Sequence, residues 1–434
     1  MTKPLNGLFS RYRSILNIRD VSLLIYSNII NNIVYNVTQF ALTILGFDTM
    51  SVFGVALVYV LYALSSMARL FSGMVIDIFG RERKALVISN ALIAMLYLIA
   101  FLVLTVMGGI NALSLVLVLI VIVIGMSLYT TMGGTVRSAL IKDLLGNDNE
   151  KITLYTSLNN TLRSIISVFS TVVSGYLLFL SIHITKYLIL SSALLSIIAL
   201  APPLTLMGGY HGRATAGANV QVIKQGFVRF GGESFKENTG FRAIILTVTV
   251  IYLLIISLDI LSYSILSLYY NVALLAGIDS VFGYTGAIIG SMLTPRFRVG
   301  KLRVDYTILT AALIVGLGFG IIPMLIRSMI IAVPLLFMVN LIYNIFINAF
   351  FTVVGGSTLI SVVPRGEFRI VYSSAWVLFT ASQIASAVIW AFIGSVTGAP
   401  KAMVIAMATG MITSLIFNMA YGKVSLEEEK DKKG

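Results

Sequence analysis

The chain carries, between two long apolar runs, the stretch Gly73-Met-Val-Ile-Asp77-Ile-Phe-Gly80-Arg81-Glu82-Arg83-Lys84. Gly73 allows two helices to approach closely, and Asp77 can accept hydrogen bonds from the N-terminus of a helix. Gly80 permits a tight turn, and the three basic residues after it are typical of a loop on the cytoplasmic side of a membrane. The stretch therefore predicts a short turn that joins two membrane-spanning helices.

The composition extends this prediction to the whole chain. Of the 434 residues, 58% are hydrophobic and 11% are charged, and the mean hydropathy is +0.98, whereas a soluble domain carries about 25% charged residues. A soluble protein cannot bury so much apolar surface, so soluble enzymes, nucleic-acid-binding domains and disordered proteins are excluded. The chain has no cysteine and two histidines, so we expect no metal site, no cofactor and no enzymatic activity.

Apolar runs separated by short charged or glycine-rich breaks predict the membrane spans. Twelve such runs are present: 21–43, 51–72, 84–107, 112–132, 152–179, 184–206, 242–264, 271–294, 305–324, 329–352, 368–395 and 400–421. Each is expected to be a helix, because irregular backbone facing lipid would leave amide groups without hydrogen bonds. We expect an N-terminal six-helix half (1–206), a cytoplasmic linker (207–241), a C-terminal six-helix half (242–422) and a charged cytoplasmic tail (423–434).

The basic residues indicate the orientation of these spans. With the N-terminus inside, the predicted outer loops contain Lys186, Arg327 and Lys401, and Arg69 and Arg163 fall within spans. The remaining 25 of the 30 basic residues fall on the inner side, as the positive-inside rule requires. We therefore expect a multi-pass protein of the cell membrane with both termini in the cytoplasm. The net charge of +13 then reflects orientation and not nucleic-acid binding.

The two halves share landmarks. Predicted span 4 ends at Gly133-Gly134 and predicted span 10 ends at Gly355-Gly356, an offset of 222 residues. Matching six-helix halves are the sequence signature of a transporter built from repeats around a site near the middle of the membrane. The alternative is that glycine pairs recur at helix ends by chance.

The stretch 73–84 resembles the signature between spans 2 and 3 of the major facilitator superfamily, G-x-x-x-D-x-x-G-R-K/R-x-K/R. It matches at Gly73, Asp77, Gly80 and Arg81, and Arg83 and Lys84 form the basic tail. The resemblance implies a fold of two pseudo-symmetric six-helix halves, and a gating role in which these six residues latch the inward-closed state. The alternative is a simple positively charged loop.

Three further segments look like the exporter branch of that superfamily which contains enterobactin and macrolide efflux proteins. They are 137–163 after span 4, 222–227 in the linker and 363–369 after span 10. This looser resemblance implies export of an organic small molecule.

Polar side chains form stripes along two predicted spans. At about 100° per residue they fall within one arc of each helix, and a polar arc facing lipid would be costly. We therefore expect substrate-binding side chains on four spans: Asn28, Asn32, Tyr35, Asn36, Gln39, Arg163, Tyr263, Asn340, Asn344 and Asn348. The alternative for the asparagines is that they join neighbouring helices by hydrogen bonds. Neutral amides and phenols suit a hydroxylated or amide-bearing solute better than a strongly charged one.

Ionisable residues inside predicted spans are functional hypotheses. Asp259 and Asp279 lie in the outer halves of spans 7 and 8. A carboxylate removed from water can take up and release a proton, so both are candidates for proton coupling; the alternative is a wet vestibule or a helix cap. Arg163, about 16 Å into span 5 at 1.5 Å per residue, is either a substrate contact or a structurally paired arginine.

These features predict a secondary transporter that moves an organic small molecule by alternating access and acts as a monomer in the lipid bilayer. No G-x-x-x-x-G-K-S/T loop is present, so a proton, and not nucleotide hydrolysis, is the expected energy source. The exporter-like segments favour efflux, and the alternative is an importer of a sugar-like or other polar solute. A membrane enzyme and a non-transporting sensor of the same fold are more distant alternatives.

Overall fold

A computed structural model describes residues 15–67, 82–107, 111–128, 137, 140–141, 144–145, 149–206, 239–297, 302–351 and 368–422. Every regular element in these ranges is helical, and no described residue lies in a β-strand. The α-helices are α1 (Arg19–Met67), α2 (Glu82–Val106), α3 (Ala112–Leu128), α4 (Asn149–Leu180), α5 (Thr185–Ile198), α6 (Ala201–Thr205), α7 (Thr239–Leu266), α8 (Val272–Phe297), α9 (Leu302–Leu325), α10 (Met329–Phe351), α11 (Phe368–Thr397) and α12 (Ala399–Tyr421). A short 3₁₀ helix, Ile182–Ile184, precedes α5.

The length and apolar character of these helices confirm a helical multi-pass membrane protein. Ten helical stretches in the described ranges are long and apolar enough to cross a membrane, and Ala112–Ser127 is a shorter apolar helix. Outward-facing side chains are apolar too: Ile330 and Met419 are 86% and 85% exposed, as suits contact with lipid. The predicted total of twelve spans stays a prediction.

Helix α1 holds two predicted spans joined at a sharp bend. It has 49 residues, about 74 Å at 1.5 Å per residue, more than twice the thickness of a bilayer core of about 30 Å. Met50 and Ser51 have non-helical backbone angles, and Ser51 has a φ of 53°. Beside this bend Gly46 and Gly54 touch, because a Cβ on Gly54 would lie 1.9 Å from the Gly46 carbonyl oxygen. Two glycines therefore allow the two legs of the bend to meet.

The chain folds into two compact units. The first unit comprises the described residues of Met1–Leu45 and Leu64–Asn219, and the second comprises those of Gly46–Ala63 and Val220–Gly434. Residues 46–63 belong to the second unit here, whereas they fall within the predicted N-terminal half (1–206). The predicted boundaries of the halves stay a prediction. The leg of α1 after the bend thus contributes side chains to the second unit.

A proline break in the first unit is stabilised by side chains from other helices. Helices α5 and α6 are separated at Ala199 and Leu200, and Pro203 has no N–H to donate to the Ala199 carbonyl four residues earlier. Ser27 Oγ and Asn90 Nδ2 donate to that carbonyl instead, at 3.3 and 3.4 Å. A backbone acceptor exposed by proline is thereby satisfied inside the unit, as an apolar environment demands.

Candidate functional site

The polar stripe of α1 in the first unit is paired with neighbouring helices. Asn36 Nδ2 donates to Ser167 Oγ of α4 at 3.0 Å, and Asn31 Nδ2 donates to Asn90 Oδ1 of α2 at 3.3 Å. Thr38 Oγ1, two residues after Asn36 on α1, donates to Ser192 Oγ of α5 at 3.0 Å. These are neutral amide and hydroxyl pairs, and such pairs hold helices together within a membrane.

Asn28 bridges two parts of the first unit. Its Nδ2 donates to Asn159 Oδ1 of α4 at 2.5 Å, and its Oδ1 accepts a hydrogen bond from Arg137 Nη1. Arg137 is only 6% exposed, so its guanidinium depends on acceptors such as Asn28. Both ends of the Asn28 amide are thus engaged within the unit.

The other predicted substrate-binding residues of this unit differ in exposure. Asn32 is buried, Tyr35 and Gln39 are half-buried, and Arg163 on α4 is exposed. The Arg163 side chain therefore lies on a surface of the unit and not within its packed interior. Within the unit the structure brings Asn28 and Asn36 into contact with α4, and it leaves Arg163 accessible.

The predicted gating motif falls largely outside the described residues, which omit Gly73, Asp77, Gly80 and Arg81. Arg83 lies in the first turn of α2, and Lys84 beside it is exposed. The gating role of these six residues stays a prediction.

Three asparagines of α10 in the second unit form a ladder. Asn348 Nδ2 donates to Asn344 Oδ1 at 3.2 Å, and Asn344 Nδ2 donates to Asn340 Oδ1 at 2.7 Å. Asn340 Nδ2 donates to the backbone carbonyl of Asp279 on α8 at 3.0 Å. The ladder is possible because residues four apart lie on one face of a helix, and it ends at one of the predicted proton-coupling residues.

Glycines bring α8 close enough to α10 for this contact. A Cβ on Gly286 would lie 2.3 Å from the Leu341 carbonyl oxygen, and a Cβ on Gly290 would lie 2.3 Å from that of Ile345. Gly283 faces the amides of the ladder, since its Cβ would lie 3.2 Å from Asn340 Nδ2. The sequence pattern of glycines four apart in α8 therefore marks a close helix contact, as such spacing does in membranes.

Asp259 and Asp279 lie at similar depths in the second unit. Asp259 is seven residues before the end of α7 and Asp279 is seven residues after the start of α8, which places each about 10 Å from that end of its helix. Helix α11 holds α7 six residues before Asp259, because Ser386 Oγ and Trp390 Nε1 both donate to the Leu253 carbonyl, at 2.6 and 2.8 Å.

Two tyrosines lie within electrostatic reach of the carboxylates, and a third hydrogen-bonds one of these two tyrosines. Tyr263 lies within electrostatic reach of both Asp259 and Asp279, and it hydrogen-bonds Tyr59 from the leg of α1 that belongs to this unit. Tyr343 of α10 lies within electrostatic reach of Asp259. We call Tyr59, Asp259, Tyr263, Asp279 and Tyr343 the carboxylate–tyrosine cluster.

No basic residue compensates these carboxylates from within the helices. Asp259 follows Arg242 by 17 residues and Asp279 precedes Arg296 by 17 residues, about 25 Å along a helix. Among the described residues of this unit, the other basic residues lie in the first three residues of their helices or between helices: Arg303, Arg327, Arg369 and Lys401. Residues 46–63 contain no basic residue at all. Beyond the first four residues of each helix, the described parts of α7–α12 thus carry Asp259 and Asp279 and, apart from Arg296 in the last turn of α8, no basic residue.

Sequence reasoning identified Asp259, Tyr263 and Asp279 but did not assign Tyr59 or Tyr343 to the site. Tyr343 had a usable signal, because it lies three residues from Asn340 on the same polar arc of α10. Tyr59 had none, since only the tertiary grouping of 46–63 with the second unit brings it to Tyr263.

The comparisons with known proteins extend over most of the chain. A crystal structure of the nucleoside transporter NupG superposes with a TM-score of 0.70 at 13% identity, over 93% of this chain and 98% of that chain. A POT family transporter in complex with a thioalcohol-conjugated peptide gives 0.66 at 15% identity, over 92% and 95%. A D-xylose–proton symporter gives 0.64 at 14% identity, over 94% and 98%.

No protein-family model matches the sequence, and no curated protein matches it. The similarity therefore lies in the fold, which these solved transporters share with this chain. The predicted major facilitator fold class is confirmed by this similarity.

Proposed function

We propose that this protein is a proton-coupled secondary transporter that moves an organic small molecule across the cell membrane by alternating access. The observation that carries the proposal is the pair Asp259 and Asp279, two acidic side chains among membrane helices with no basic residue nearer than 17 positions along either helix. An intramembrane carboxylate is costly and points to function. The fold shared with solved transporters supports the same reading.

In this proposal the two carboxylates alternate between a charged form and a protonated, neutral form. Protonation removes two negative charges from among the membrane helices, so it changes the relative free energies of states in which water reaches the cluster and states in which it does not. Asn340 donates to the backbone carbonyl of Asp279 and also interacts with its side chain, so in this proposal a change at the carboxylate reaches the side chains of Asn344 and Asn348.

The substrate contacts that we propose lie on both units. Asn344, Asn348 and Tyr263 are half-buried in the second unit, and Tyr35, Gln39 and the exposed Arg163 are their counterparts in the first. The engaged amides of Asn28 and Asn36 favour a supporting role for these two, because their hydrogen-bonding atoms already serve Arg137, Asn159 and Ser167.

The direction that we propose is export, on the resemblance of segments 137–163, 222–227 and 363–369 to exporters. The second candidate is import of a polar solute, which the similarity to a D-xylose–proton symporter favours. The two differ in the side from which a proton gradient drives accumulation.

The experiment uses purified protein in liposomes with an imposed pH gradient. The probes are labelled uridine, D-xylose, dialanine and benzyltrimethylammonium, each assayed with acid outside or inside. Movement of at least one probe against its gradient, abolished by a protonophore, is the expected result. Accumulation in vesicles with an acidic lumen indicates exchange and hence export, and the opposite gradient indicates symport. Failure of every probe to move above protein-free liposomes contradicts the proposal.

The gating motif provides a separate prediction. Asp77→Asn and Arg81→Ala are expected to stop transport while the protein still folds, because each removes one charge of the proposed latch between spans 2 and 3. Thermal unfolding in detergent checks the fold, and the liposome assay checks transport. Wild-type rates in both variants would remove the gating role from this motif.

A further inference from the structure

We propose that the carboxylate–tyrosine cluster binds the ammonium group of an organic cation, so that the transported molecule is cationic. This inference rests on the proposed transport function but concerns what the site recognises. It replaces the expectation of a neutral, hydroxylated or amide-bearing solute, which rested on the amides and phenols of the stripes. It also leaves Arg163 outside the substrate contacts, because a guanidinium repels a cation.

The carboxylate–tyrosine cluster carries two acidic side chains. Asp259 and Asp279 lie at similar depth in adjacent segments of the chain, and both bear electrostatically on Tyr263. Carboxylates in a membrane interior are stabilised by pairing with a cation or by protonation. Since the interior stretches of α7–α12 that the structure describes contribute no lysine or arginine, a proton or a cationic ligand is the partner that we propose for these carboxylates.

Two buried polar atoms of the cluster lack hydrogen-bond partners among the described residues. Asp279 is 8% exposed and Tyr343 is 1% exposed, yet Asp279 Oδ1 and the Tyr343 hydroxyl have no hydrogen-bond partner among the described residues. Buried polar atoms of native proteins are nearly always satisfied, so each unsatisfied one requires an explanation; for these two acceptors the explanation in this proposal is a bound ligand. A carboxylate oxygen and a phenol oxygen are both acceptors for an N–H group.

The cluster also contains three aromatic side chains. Tyr59, Tyr263 and Tyr343 come from three different helical segments: Tyr263 and Tyr343 lie within electrostatic reach of the carboxylates, and Tyr59 hydrogen-bonds Tyr263. Aromatic faces attract organic cations, including quaternary ammonium groups that cannot donate hydrogen bonds. Carboxylates together with tyrosines therefore favour an alkylammonium group over a hydrated inorganic ion.

A divalent metal ion fits less well. The described residues contain no group of three or more histidine, cysteine, aspartate or glutamate side chains that could hold a metal ion. Calcium requires about six to eight oxygen ligands and magnesium a near-ideal octahedron, which two carboxylates do not provide.

Other titratable groups surround the cluster and bear on any pH effect. Tyr284 of α8 lies within electrostatic reach of Tyr263. On the other helices packed against α7, the charged groups Arg303, Asp305, Arg369 and Lys401 lie in the first four residues of α9, α11 and α12. Asp305 is a buried carboxylate of the same unit that is not part of the cluster, and it serves as a matched control.

The test is equilibrium binding to the purified full-length protein in detergent, which requires no transport. The probes are tetraphenylphosphonium and benzyltrimethylammonium, whose charge does not change with pH, beside their neutral counterparts triphenylphosphine oxide and neopentylbenzene. We expect the cations to bind and the neutral compounds to bind at least about tenfold more weakly. Cation binding should weaken as the pH falls, because protons neutralise the carboxylates.

Variants assign the binding to the cluster. Asp259→Asn and Asp279→Asn should each weaken cation binding by about tenfold or more and reduce its pH dependence, which the double variant should lose, while Asp305→Asn should bind as the wild type does. Circular dichroism and gel filtration verify that each variant is folded. Replacing potassium by sodium at constant ionic strength should leave organic-cation binding unchanged.

Four results would overturn the assignment: no binding of either cation, equal binding of the neutral counterparts, wild-type binding in both cluster variants, or displacement by sodium. Its failure is distinguishable from failure of the proposed function. Transport of a neutral probe without cation binding would overturn the cation site alone, whereas cation binding without transport in liposomes would overturn the transport function alone.

Discussion

The two units place different polar side chains among their membrane helices. In the first unit, Asn28 and Asn36 meet neutral or cationic partners at hydrogen-bond distance, and both atoms of the Asn28 amide are engaged. In the second unit, Asp279 Oδ1 and the Tyr343 hydroxyl are buried without a partner among the described residues. Paired amides stabilise a packed helix bundle, whereas unpaired acceptors next to carboxylates can bind a proton or a ligand. Polarity alone therefore does not identify a transport site.

The largest expected effect comes from removing the carboxylates of the second unit. Asp259→Asn or Asp279→Asn should reduce proton-driven accumulation in liposomes to the level of protein-free vesicles, because an amide cannot take up the proton. The liposome assay with an imposed pH gradient measures this effect, with Asp305→Asn as the control that keeps transport. Accumulation at the wild-type level in both cluster variants would show that coupling lies elsewhere.

The next effect concerns the contact between α8 and α10. Gly286→Val should destabilise the protein by about 2 kcal/mol or more, because a Cβ at this position meets the Leu341 backbone at 2.3 Å and the helices have to separate. Gly410→Ala is the control, since its Cβ would meet flexible leucine side-chain ends at 3.1 Å or more. Reversible unfolding in mixed micelles measures both. Equal stabilities would mean that α8 and α10 do not need this close approach.

A smaller effect is expected when Asn28, which connects Arg137 and Asn159 in the first unit, is replaced. Asn28→Ala should cost about 1–3 kcal/mol of unfolding free energy, because it removes an acceptor from the buried guanidinium of Arg137. Asn28→Asp keeps an acceptor oxygen and should restore most of the loss. The same unfolding experiment compares the two variants, and equal losses in both would contradict the role of Asn28 as the acceptor for Arg137.

The smallest effect concerns a neutral pair. Asn36→Ala should cost about 0.6 kcal/mol, the average for a hydrogen bond between membrane helices, because Ser167 loses one partner. The pH profile of transport should be unchanged, since neither side chain titrates. A shifted pH profile would mean that the first unit also takes part in coupling.

Local features of the fold were predictable from the sequence because they depend on nearby residues. The predicted span 329–352 matches α10 (Met329–Phe351), and 242–264 lies within α7 (Thr239–Leu266). Apolar runs of this length must be helical in a bilayer, and Asn340, Asn344 and Asn348 share a face because of helical periodicity. The glycines of α8 were likewise readable as a close contact.

Features that depend on tertiary pairing were not predictable. The partners of Asn28 come from residues 137 and 159, and nothing local to Asn28 distinguishes a paired amide from one that lines a cavity. The bend at Ser51 places Tyr59 with the second unit, although its sequence position lies in the predicted N-terminal half. Such outcomes depend on which helices become neighbours, and one sequence does not specify this.

The most direct test of the account follows protons and solute together. Liposomes loaded with a pH-sensitive dye receive a concentration gradient of whichever probe the wild-type protein moves fastest, and the luminal pH is recorded. The account predicts proton movement with the wild-type protein and with Asp305→Asn, and none with the double variant Asp259→Asn/Asp279→Asn. Solute-driven proton movement at the wild-type rate in the double variant would contradict it.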